Sequence, residues 1–142
     1  MGVEKKIAVL VILVCLYVIV TGGSGGLPII DPPDPAPIPV PGLHVLIVEE
    51  TANRGSLPLD QLAILQSTQI RDHVRAAGGN YRQFDEDQQM DEAPQVWQDA
   101  MKLPRDSVPW WIVSNGETGV SEPLPLTIED AMTTVRRFSD GL

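Results

Sequence analysis

Residues 107–119 read Ser-Val-Pro-Trp-Trp-Ile-Val-Ser-Asn-Gly-Glu-Thr-Gly, and this stretch constrains the fold more than any other. From Trp110 to Val113 the side chains are aromatic or β-branched, the composition of a buried strand. Pro109 has no N–H to give to a ladder, so it belongs at the strand's first position. Asn115-Gly116 is the strongest short hairpin signal, because both central residues of a type I′ turn need positive φ. The expectation is a buried strand that turns back at Asn-Gly and pairs antiparallel with a short strand near 117–121. Neighbouring strand residues point to opposite faces, so Trp110 and Trp111 are expected in core on opposite sides of a sheet.

The rest of the chain supplies partners for that hairpin. Residues 43–49 (Leu-His-Val-Leu-Ile-Val-Glu) are nearly all apolar, as in a central strand covered on both faces. A polar loop, 49–56, leads to a helix expected over 57–77. Pro58 suits its first turn, Leu59, Leu62, Ala63, Ile70, Val74 and Ala77 fall near one face, and Gly78-Gly79 ends it. A short strand is expected at 81–84. The acidic run 85–92 lacks the glycine and the closing glutamate of a calcium loop and reads as a solvated loop. Asp91 is a candidate cap for a helix running to Leu103, which Pro104 stops. Thr127 caps a last helix that sends Met132, Val135 and Phe138 to the core, and Arg136 and Arg137 complement its C-terminus. His73, between charged neighbours on the long helix, reads as a surface histidine.

The order strand, helix, strand, helix, strand, strand, helix defines an α/β domain. Together with Val108-Pro109, the apolar strand, Asn-Gly-Glu and the final amphipathic helix, it resembles the thioredoxin fold over about 43–138. Val108-Pro109 is similar to the Thr-Val-Pro signature of glutaredoxins. The resemblance implies a four-stranded mixed sheet flanked by three helices. It also implies a cis bond between Val108 and Pro109, and a backbone at Val108 that faces an extended ligand. The thioredoxin and glutaredoxin cysteines fall between the first strand and first helix. The corresponding loop here, 50–56, has none, and the chain's one cysteine is Cys15. The redox mechanism of the family therefore does not carry over. What carries over is the groove: Val108 and Pro109 facing Glu50, Asn53, Arg54 and Ser56. For the last three the competing reading is that they merely close a turn and cap a helix.

Ahead of this domain, Lys5-Lys6 precede fourteen residues, 7–20, with no polar side chain except the Tyr17 hydroxyl. A helix of that length rises about 21 Å against a hydrocarbon thickness of about 30 Å, so residues 1–26 read as a thin anchor or as a signal segment. Basic residues only on the leading side put the N-terminus in the cytoplasm and the domain outside it, membrane-bound or, after cleavage, secreted. Residues 27–42 carry seven prolines and read as a stiff, extended linker, leaving 43–142 as the domain. With 19 acidic against 10 basic residues the net charge is −9, which argues against nucleic acid as a partner.

The expected function is that of a membrane-tethered, redox-inactive, thioredoxin-like binding or scaffolding module for a protein or peptide, with no catalytic residue, cofactor or metal. The alternative is an enzyme: a thiol-independent catalyst on this fold, or a metal-dependent phosphotransferase. The latter rests on a resemblance to Toprim domains, in which Glu50, Asp85 and Asp87 would hold magnesium.

Overall fold

The structure, a computed structural model, describes residues 35–140 and Leu142. The expected N-terminal anchor and the first half of the expected linker, residues 27–34, lie outside the described residues. Among the described residues no helix is long and apolar enough to cross a membrane.

The first strand, β1 (His44–Glu49), is buried along its whole length, as its unbroken apolar run requires. A 3₁₀ turn (Thr51–Ser56) follows, and then two helices, α1 (Leu59–Gln66) and α2 (Thr68–Ala76). The single helix expected over 57–77 is therefore broken. Ser67 sits at ψ 121, outside the helical region, and its side chain accepts a hydrogen bond from the Ile70 N–H, so one residue both ends α1 and caps α2. Among the described residues four α-helices, not three, accompany the sheet. After β2 (Asn80–Asp85) comes α3 (Gln95–Met101), which begins at Pro94 rather than at the expected cap Asp91. Proline is compatible with a helix start because the first N–H groups have no intrahelical partner. Then follow β3 (Trp110–Ser114), β4 (Gly119–Pro123) and α4 (Ile128–Ser139), with Thr127 as its N-cap.

The sheet order is β2-β1-β3-β4, with β1 and β2 parallel and the β1–β3 and β3–β4 pairs antiparallel. The hairpin forms, but its centre is one residue further on than Asn115-Gly116. The Asn115 N–H donates to the Thr118 carbonyl, and within this turn only Gly116, at φ 92, has positive φ. Positive φ at the first central position alone belongs to a II′ arrangement. The Asn115 side chain accepts from the N–H groups of Glu117 and Thr118 instead of taking a left-handed backbone itself. The Val108–Pro109 bond is cis.

Side-chain alternation gives the sheet two cores. Val45, Ile47, Trp111 and Val113 meet α1, α2 and α4 on one face. Leu46, Val48, Trp110 and Ile112 meet α3 on the other, where Trp97 is the largest buried side chain from a helix. Both tryptophans of β3 are core residues, one in each layer. The folded unit also starts earlier than residue 43. Ile38 is buried in the second core, and its carbonyl accepts from the Ser114 hydroxyl at 2.8 Å. The prolines at 37, 39 and 41 thus belong in part to the domain's own packing and not to a free spacer.

Candidate functional site

Parallel pairing brings the C-terminal ends of β1 and β2 together, with Glu49 opposite Asp85. Antiparallel pairing of β1 with β3 sets Val48 opposite Trp110, so Val108 and Pro109 lie at the same end of the sheet. This is where an open α/β sheet offers a crevice outside its strand ends. Val108 and Pro109 are half-buried, Val108 against the second core, and the Pro109 carbonyl accepts from the Leu124 N–H at 3.0 Å. Among the described residues, the Val108 N–H has no main-chain partner.

The 3₁₀ turn forms one wall of this end. It closes on itself: the Glu50 carboxylate accepts from the Ala52 N–H at 2.9 Å, and the Ser56 hydroxyl donates to the Asn53 carbonyl at 2.8 Å. Asn53 and Ser56 are exposed. Arg54 makes its contact within the chain. Its guanidinium turns back and donates to both carboxylate oxygens of Glu49, through Nε at 2.7 Å and through Nη2. Glu49 is buried at the end of an apolar strand, its side chain only 3% exposed, and a charge there must be compensated. The Gln83 amide adds a third donor, and Gln83 in turn accepts from the Tyr81 hydroxyl at 3.0 Å. Arg54, above all, holds the Glu49 carboxyl below the usual range against the opposing pull of burial. Burial pushes the Tyr81 phenol up.

The sequence reading did not find Glu49, Gln83 or Tyr81 as a linked set. The available signal was a glutamate closing an apolar strand with an arginine five residues on. What was missing was the register that sets Gln83, 34 residues away, beside it.

Asp85 accepts from the Thr51 N–H at 2.8 Å, which ties the end of β2 to the turn and lowers the carboxyl's pKa. Glu50, Asp85 and Asp87 each bring one carboxylate oxygen to within 4.8 Å of the others. These are the three residues named for the phosphotransferase alternative. The geometry puts them together at the sheet end and leaves them partly or fully exposed.

Comparison with protein-family models, with curated proteins and with solved structures gives no match.

Proposed function

We propose that the domain is a redox-inactive, thioredoxin-like binding module that receives an extended protein or peptide segment at the sheet end beside Val108 and Pro109. The observation that carries this reading is the Val108 N–H, without a main-chain partner among the described residues, set at the sheet end that also carries the 3₁₀ turn. An extended chain passing there gains a main-chain hydrogen bond and an apolar floor at Val108 and Pro109, which is how strand-like peptides are held. The sheet order and the parallel β1–β2 pair support the thioredoxin-like assignment. The missing thiols in 43–142 support a module rather than an oxidoreductase. On this reading Asn53 and Ser56 line the groove, and Arg54 positions the turn through Glu49. The apolar N-terminal stretch tethers the module to a membrane with the domain outside the cytoplasm.

The test is selection of peptides from a random displayed library against the full chain, repeated with Asn53→Trp, which fills the groove from an exposed position. Binding weakened about tenfold or more in a variant with unchanged tryptophan fluorescence supports the reading. Binders indifferent to Asn53→Trp refute it.

The convergence of Glu50, Asp85 and Asp87 favours a second reading, a divalent-cation site of the kind a phosphotransferase uses. Stoichiometric magnesium binding by the native chain, abolished in Asp85→Asn, would support it. Heat-silent titration by both would exclude it.

A further inference from the structure

The β2 flank of the domain is chemically unlike the rest of the chain. The net charge is −9, yet four of the 10 basic residues, Arg54, Arg71, Arg75 and Arg82, line two adjoining pockets of about 300 and 270 Å³ along β2. Arg71 belongs to both pockets. Its Nη2 donates to the Leu65 carbonyl at 3.1 Å and its guanidinium lies 5.4 Å from the centre of the Tyr81 ring. Its Nε is buried without a hydrogen-bond partner among the described residues. Arg82, on the other face of the strand, lies 5.8 Å from the Trp97 ring. Among the described residues neither arginine is paired with a carboxylate; Arg75 has a long contact to Asp72 at 3.5 Å and Arg54 is engaged by Glu49.

These arginines flank an open strand. Among the described residues β2 is the edge of the sheet. In a parallel pair, alternate residues turn both backbone groups toward the neighbour, and the others turn them away. The Asn80 N–H donates to the Leu43 carbonyl and the Glu86 N–H to the Glu49 carbonyl, so residues 80, 82, 84 and 86 face β1. Tyr81 and Gln83 therefore present their main-chain groups to the open side, with the Tyr81 carbonyl also accepting from Arg82 at 3.0 Å. Unprotected edges of this kind take up additional strands.

We infer that the β2 edge binds an acidic, extended peptide segment as an added strand. Main-chain hydrogen bonds form at Tyr81 and Gln83, and the peptide's carboxylates enter the pockets flanked by Arg71, Arg75 and Arg82. Charge selects the occupant. An acidic segment neutralises Arg71 and Arg82, which no carboxylate of the described residues pairs. The same edge turns acidic at Asp85 to Asp87, so the carboxylates of the segment belong at the Asn80 end. This surface runs along β2 and shares only Arg54 of the 3₁₀ turn with the groove at Val108.

The probe is a synthetic peptide of alternating Glu and Val, with a Lys and Val peptide as its control. The full chain is titrated with each, and amide hydrogen exchange is followed on binding. Saturable binding of the Glu peptide, weakened by added salt, with slowed exchange at Tyr81 and Gln83, is expected. Charge reversal at the exposed Arg75 and Arg82, in Arg75→Glu and Arg82→Glu, should weaken it about tenfold each. Asn53→Trp should leave it unchanged. Equal binding of the Lys peptide, no binding of either, full retention in both variants, or self-association through β2 in place of peptide binding overturns the inference.

Discussion

Replacing Arg54 with alanine isolates the interaction that holds the 3₁₀ turn against the sheet. The variant strips two charge-assisted hydrogen bonds from a buried carboxylate and leaves only the donor from Gln83. Removing one partner of a fully buried ion pair costs about 3–5 kcal/mol, because the remaining charge stays desolvated. Here the arginine side chain is 45% exposed, so water can replace part of what is lost, and a cost of about 2 kcal/mol follows. For a domain of this size that lowers the melting temperature by about 10 °C. The loss must also depend on pH. Arg54 depresses the Glu49 pKa in the folded protein, so its contribution is complete above the ordinary carboxylate range of about 4.3. The contribution is lost as pH falls through the folded-state value. In Arg54→Ala only the Gln83 donor opposes burial, so most of that depression is gone and the two proteins should converge in stability as the solution is acidified. Urea unfolding followed by the buried tryptophans of β3, run from neutral to acidic pH, measures both effects. Glu49→Gln combined with Arg54→Ala should recover part of the loss, since the amide still meets Gln83 without a stranded charge. A difference under about 0.5 kcal/mol at neutral pH, or one that acid does not narrow, would refute the reasoning.

Two further outcomes follow from the packing. Ile38→Ala should cost about 2–4 kcal/mol in the same denaturation assay, because Ile38 fills the second core; a loss no larger than that of an exposed-site change would return residues 35–42 to the role of a linker. Gly79→Ala should cost about 1–3 kcal/mol and shift the β1–β2 amide resonances, since an added Cβ would meet the Leu43 carbonyl oxygen at 2.5 Å and the Leu43 Cβ at 2.9 Å; a neutral substitution would mean that the backbone there yields.

The strands were legible because their signals are local. β1 and β3 are unbroken apolar runs, and the face of each tryptophan follows from alternation alone. The long helix divides because Ser67, which the apolar spacing on either side does not reveal, ends one helix and caps the next. Pattern also misled at Pro37 to Pro41, where alternating prolines suggest a free rod while one isoleucine among them supplies a core contact. The site was harder to read. Glu50, Asn53, Arg54 and Ser56 were found by position relative to the first strand, which is topological information. The task of Arg54 depends on which side chain is buried beneath it, and Glu49 looks in sequence like the polar end of a strand. The arginine pockets along β2 were invisible for a related reason. Arg71, Arg75 and Arg82 are dispersed in the chain, and the acidic total hides a basic edge that exists only once α2 lies beside β2.

The central claim, that an extended segment is bound beside Val108, is tested most directly by amide hydrogen exchange at that residue. The full chain is measured free and saturated with a peptide selected from the displayed library. The account predicts that the Val108 amide, without a main-chain partner among the described residues, slows about tenfold or more on binding, and that Asn53→Trp abolishes the change. Saturation without any slowing at Val108, with protection confined to Tyr81 and Gln83 or absent altogether, would contradict it.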